Sequence, residues 1–118
     1  VYNDLAYHDY EGVALESEEK KRLVADLGDK NVMILRNHGP LSVGDHPFSV
    51  YIRIYLLERA CKVQIMAQAG GDLLECDQDM QDRVFDQSSE IAGNEFFKEI
   101  AWAALLDRVR RESPGFDT

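Results

Sequence analysis

Met33-Ile34-Leu35-Arg36-Asn37-His38-Gly39 is the stretch whose reading decides the fold. Four residues of strand length and apolar character from Val32 run into an Arg, an Asn, a His and a Gly, and Pro40 follows. The spacing predicts a strand over 32–36, a turn at Gly39 and Pro40, and a second strand over 41–43. Strands joined this closely are antiparallel neighbours or one bent strand, because a parallel crossover needs far more chain. Pro40 has no N–H for a ladder and belongs in the turn or at a sheet edge. The imidazole of His38 is thereby delivered to the mouth of a sheet, where a metal or a substrate can meet it.

Upstream, residues 5–8 form a short strand candidate, ended by the polar turn Asp9-Tyr10-Glu11-Gly12. Ser17 is placed to cap a helix over 17–27, with Glu18 and Glu19 at its positive dipole end and Gly28 suited to the left-handed residue that closes it. Leu23, Val24 and Leu27 give this helix an apolar face. Downstream, Pro47 opens a long helix over 47–69 that Gly70 and Gly71 end. Phe48, Tyr51, Ile52, Tyr55, Leu56, Ala60, Val63 and Ala67 make a broad stripe flanked by Ile54, Leu57, Cys61 and Ile65, so this helix needs cover on more than one side. Two more helical stretches follow, over 77–92 and 94–111, the last carrying Arg108, Arg110 and Arg111 where positive charge offsets the helix dipole. Short strands interleaved with amphipathic helices indicate a layered α/β or α+β fold.

The 118 residues are enough for one domain or part of one. A formal charge of −9, from 22 acidic against 13 basic residues, repels phosphate backbones and anionic lipid, so nucleic-acid and membrane binding are not expected. Residues 48–69 are interrupted by Arg53, Glu58, Arg59 and Lys62 and do not read as a membrane span. Cys61 and Cys76 fit neither a disulfide framework nor a Cys-x-x-Cys motif, and Cys61 reads as a small core residue. With no basic start and apolar stretch to signal export, a reducing cytoplasm is the expected location. The acidic series Asp72, Glu75, Asp77, Asp79 and Asp82 lacks the glycine and spacing of a calcium loop and reads as solvated surface.

Successive blocks give the chain a family likeness. Tyr7-His8-Asp9-Tyr10-Glu11-Gly12, Asp26-Leu27-Gly28-Asp29, Met33 through Gly39, Ser42-Val43-Gly44 and Leu57-Glu58-Arg59-Ala60-Cys61 together resemble the class II aldolase and adducin-head family, in its adducin-like bacterial branch. The tail, with Trp102, Leu105, Leu106 and Arg108 before Ser113-Pro114-Gly115-Phe116, is similar to how that branch ends. The resemblance implies a three-layer α/β/α domain around a mainly antiparallel sheet, with residues 1–118 forming its C-terminal part and the N-terminal side incomplete. It implies a homotetramer with sites at subunit boundaries. It also implies a zinc-dependent lyase that cleaves sugar phosphates through a metal-stabilised enediolate, or alternatively a non-catalytic adducin-like assembly module.

Within that resemblance His38 matches the third of three histidine ligands of a divalent metal, here Zn2+. The family's other two come as a His-x-His pair, and no such pair stands in this sequence; the remaining histidines, His8 and His46, have spacings that match no local ligand motif. The acid/base Glu and the phosphate-binding segment of the family also have no counterpart. The chain alone is therefore expected to be inactive. Pro40, and Asp45-His46-Pro47-Phe48-Ser49 at the helix start, depart from the family pattern just beyond His38, and Asp45 or His46 is expected to cap that helix. Tyr10 and Glu11 read as turn and interface residues, and Tyr51 and Tyr55 as core.

Overall fold

The computed structural model describes residues 3–12 and 17–116. Three strands and four helices follow in the order β1 (Leu5–His8), α1 (Ser17–Leu27), β2 (Val32–Leu35), β3 (Gly39–Ser42), α2 (Pro47–Gln68), α3 (Gln78–Ala92) and α4 (Glu95–Glu112). Each expected element is present within a residue or two, except that β3 starts at Gly39 and so draws Pro40 into the strand. Pro40 is tolerated there because β3 is an edge strand and the missing N–H breaks no inner ladder. The Ser17 cap concerns a side chain outside the described residues.

The sheet has the order β1-β2-β3 and is mixed. β1 pairs parallel with β2 in the register Leu5–Val32 to His8–Leu35, and β2 pairs antiparallel with β3 from Val32–Ser42 to Leu35–Gly39. The first pairing is parallel because α1 fills the crossover between its strands; the second is antiparallel because only three residues separate them. Of the two pairings one is thus parallel, where the resemblance implies a mainly antiparallel sheet.

The core is small and centres on β2. Met33 is fully enclosed, and Val32, Ala6, Leu57 and Phe48 are also buried. Each of the larger side chains contributes roughly 1.5–3 kcal/mol through burial. α1 lies against β1, α2 against β3 and β2, α4 against α2, and α3 against α4. α1 ends at Gly28, whose φ of +56° is the left-handed closure its sequence position suggests. Its Val24 points outward, leaving Leu23 and Leu27 as the half-buried face.

α2 is covered on one side of its first half only. Its start is pinned to α4 by the edge-to-face rings of Phe48 and Phe97, 5.8 Å between centroids. Further along, Leu56, Val63, Ile65 and Met66 are exposed. Tyr51 and Tyr55, expected in the core, are instead exposed and stacked on one another 6.1 Å apart, with the Arg59 guanidinium 5.7 Å from the Tyr55 ring centroid. Cys61 is half-buried and Cys76 exposed, both as free thiols.

Candidate functional site

Because β1 and β2 run parallel, their C-terminal ends open at the same edge of the sheet, the place where α/β sheets present side chains to ligands. His8, Asp9, Arg36 and the turn carrying His38 gather there. Arg36, Asn37 and His38 link β2 to β3, with the His38 N–H donating to the Leu35 carbonyl at 3.0 Å. Asn37, the third residue of that four-residue turn, has φ +56°, a conformation Asn tolerates better than other non-glycine residues. Gly39 follows at φ +155°, which an L side chain rarely adopts. The Asn and the Gly of the tripeptide therefore shape the backbone, and His38 is left exposed at the tip.

The neighbouring end of β1 is locked to the same turn. The His8 carbonyl accepts the Arg36 N–H at 2.9 Å. His8 itself is buried, and its Nδ1 donates to Asp26 Oδ2 on α1 at 2.7 Å, so α1 orients the ring. Its Nε2 is buried 3.9 Å from Glu11 Oε1 with no hydrogen-bond partner among the described residues. Glu11 is held by Arg22 of α1 through two guanidinium nitrogens, and that hydrogen bond is the main reason its carboxyl lies below the ordinary glutamate value. The turn role read for Glu11 thus has a concrete partner.

Arg36 spans the two strands on the sheet's other face. Its guanidinium lies over the Tyr7 ring, 5.2 Å from the centroid, and its Nε is 3.0 Å from Asp9 Oδ1.

His46 is elsewhere. β3 runs back along β2, which places the start of α2 beyond the opposite end of the sheet from His38. There His46 is the N-cap of α2, its Nδ1 accepting the Phe48 N–H at 3.1 Å. Its ring meets Trp102 of α4 edge-on, and its Nε2 is 3.6 Å from Glu99. The three histidines therefore do not converge: His8 and His46 are structural and His38 alone faces outward at the mouth. Among the described residues no group of three or more His, Cys, Asp or Glu side chains is arranged to hold a metal ion.

Sequence reasoning missed one buried charge. Lys98 of α4 is almost fully enclosed and bridges Glu95 at 2.7 Å and Asp45 at 3.1 Å. Its hydrogen bonds to those two carboxylates raise its pKa, and the bond from Lys98 lowers that of Asp45. The i,i+3 spacing from Glu95 was visible in the sequence; the Asp45 partner, 53 residues away, was not. A shallow concavity along α3, lined by Asp79, Asp82, Asp86 and Glu90, carries solvated carboxylates and is separate from the mouth. No helix among the described residues is long and apolar enough to cross a membrane.

Comparison with known proteins agrees with the α/β fold. The family model described as class II aldolase and adducin N-terminal domain matches residues 1–65. A putative aldolase class 2 protein of Caulobacter vibrioides is 44% identical over 118 residues, covering 98% of this chain and 45% of the relative. Mouse alpha-adducin is 45% identical over 71 residues, covering 58% of this chain and 10% of that protein. Among solved structures, an aldolase II superfamily protein from Pseudomonas syringae superposes with a TM-score of 0.81 at 40% identity, covering 94% of this chain and 45% of that one. L-fuculose 1-phosphate aldolase from Glaciozyma antarctica PI12 superposes with a TM-score of 0.68 at 27% identity, covering 94% of this chain and 41% of that one. The chain spans about half the length of the bacterial relatives it matches. With a family model over more than half its residues and the same fold in both solved relatives, the chain belongs to the class II aldolase and adducin N-terminal domain family.

Proposed function

We propose that these residues are the C-terminal part of a single domain of a metal-dependent lyase acting on a sugar phosphate, in which His38 is one ligand of a zinc ion. The observation that carries the reading is the placement of His38: an exposed imidazole on a turn whose Asn37 and Gly39 conformations hold it at the C-terminal edge of the parallel strand pair. The fold shared with a fuculose-phosphate aldolase supports the substrate class.

The donor set in this chain is incomplete for such an ion. A catalytic zinc takes three protein ligands and keeps one position open, and the described residues supply one exposed imidazole at the mouth, since His8 is buried and bonded to Asp26. The remaining donors would come from outside these residues, and this chain by itself is expected to be inactive. When bound, the ion would act as a Lewis acid on substrate oxygens. What the chain contributes is the positioning of one ring: the Leu35–His38 turn fixes its backbone, and the His8 carbonyl anchors the turn through Arg36. Assembly as a homotetramer in the cytoplasm completes the reading.

A second reading is favoured by the 45% identity to alpha-adducin over 71 residues. In it the domain assembles partners without catalysis, and His38 is a turn residue. Zinc content of the purified product of the whole gene separates the two. The lyase reading expects stoichiometric zinc that His38→Ala removes together with sugar-phosphate cleavage; zinc retained in full by the variant would reject the ligand assignment.

A further inference from the structure

Among the described helix caps, His46, Asp77 and Asn94, only His46 caps with an atom that takes up a proton near neutral pH. The Phe48 N–H can only donate, so the His46 Nδ1 that receives it at 3.1 Å holds a lone pair and no hydrogen. The single hydrogen of the neutral ring is then on Nε2, which faces Glu99 Oε1 of α4 at 3.6 Å. Pro47 has no N–H, so Phe48 carries the first amide hydrogen of α2, at the positive end of its dipole. A second proton on this ring must go to Nδ1. It turns the acceptor into a donor aimed at a donor, and it sets a cation at the positive end of a 22-residue helix.

The charges around the ring do not offset that loss. Glu99 of α4 is the favourable one, but its carboxylate is 72% exposed and its attraction is screened. Glu95 and the preceding Asp45 are both taken by the Lys98 ammonium, which brings a like charge to the same corner. On α2, Arg53 adds another cation, its guanidinium donating to the Val43 carbonyl at 2.7 Å. The imidazole is mostly buried and set edge-on to Trp102, so water restores little of what the cap gives up.

We propose that His46 is an acid-released latch between α2 and α4. Neutral, it caps α2 while held against Trp102 and Glu99; protonated, it abandons the Phe48 amide and frees the first turn of α2 from α4. On acidification this release precedes any loss through Asp45, whose carboxyl is held below the ordinary aspartate value by its hydrogen bond from Lys98. The latch stands beyond the opposite end of the sheet from His38 and involves no metal.

The test is hydrogen exchange at the Phe48 amide in the whole gene product, corrected for the intrinsic rate, between about pH 8 and pH 5, which brackets the ordinary imidazole value. Protection should fall at least about fivefold in a one-proton step, the factor expected of a lost cap, and α4 amides around Trp102 should lose protection with it. His46→Asn keeps a side-chain acceptor at the cap and does not titrate, so its protection should stay flat over the same range. In the parent, nitrogen resonances of the His46 ring should show Nδ1 unprotonated at the alkaline end and gaining its proton in step with the change at Phe48. Flat protection in the parent, the same pH-dependent loss in His46→Asn, or a protonated Nδ1 at the alkaline end overturns the proposal.

Discussion

Asn37 and His38 are adjacent and do unlike things. Asn37 meets a backbone demand, φ +56°, that costs other L residues about 1–2 kcal/mol. Asn37→Ala should therefore lower unfolding stability by about 1 kcal/mol while Asn37→Gly stays near the parent, as read by urea denaturation; equal losses in both would mean that the Asn side chain, and not the turn, matters. His38 makes no comparable demand, so His38→Ala should change stability by less than about 0.5 kcal/mol. Met33 sits at the other extreme: fully enclosed, its truncation to Ala should cost about 2–5 kcal/mol. That a turn follows β2 was legible in the sequence, but it was expected at Gly39 and Pro40 and forms instead over Leu35–His38, and His8 was less legible. Its burial follows from alternation with Ala6 along β1, but its Asp26 partner lies 18 residues on, across a helix. Nothing local announces such a partner.

At the scale of elements, the start of α2 is where distant parts meet. His46 meets Trp102 and Glu99, Phe48 packs on Phe97, and Asp45 reaches Lys98, so three near neighbours in sequence fasten α4 to the turn after β3. The sequence narrowed the cap to Asp45 or His46, ahead of Pro47 at the first helical position, but the α4 contacts depend on a packing angle that periodicity does not encode. Lys98→Met should loosen this clasp and lower the thermal midpoint, with the α4 amides near Phe97 losing hydrogen-exchange protection first; unchanged protection there would show that the aromatic pair suffices.

The charges also fix a pH window. Asp45 titrates below its ordinary value, so its contribution is complete above that value and drains away as pH falls through the lower folded one. Lys98 titrates above its ordinary value, so its share is complete below that value and is lost only as pH rises through the higher folded one. Stability measured from neutral pH downward should accordingly fall below about pH 4, and more steeply in the parent than in Lys98→Met. At the head of α4, Asn94 accepts the Phe97 N–H at 3.0 Å, and Asn94→Ala should cost about 1 kcal/mol.

The whole molecule is more open than its length calls for. Its radius of gyration is 16.9 Å, against about 13.5 Å for a compact domain of this size. Val63, Ile65 and Met66 on α2, with Phe96 and Ile100 on α4, expose apolar surface that a solitary soluble domain would cover. Both outer strands also leave unpaired edges among the described residues. The isolated chain should therefore self-associate in sedimentation experiments and bind a hydrophobic dye; a monodisperse monomer with a sharp cooperative unfolding transition would contradict this. The order and type of elements were legible from local pattern, since each helix carries its own caps and stops. The parallel partnership of β1 and β2, which creates the mouth, was not, because strand pairing across a helix is set by the tertiary fold. Likewise α2 displayed its need for cover in sequence, while among the described residues its far half stays exposed.

The most direct test of the central claim is zinc analysis of the purified whole gene product beside its His38→Ala variant, with folding of both verified by circular dichroism. One zinc per chain in the parent and essentially none in the equally folded variant is the result expected of a ligand at position 38. Equal zinc in both proteins, or none in either after reconstitution, would contradict it.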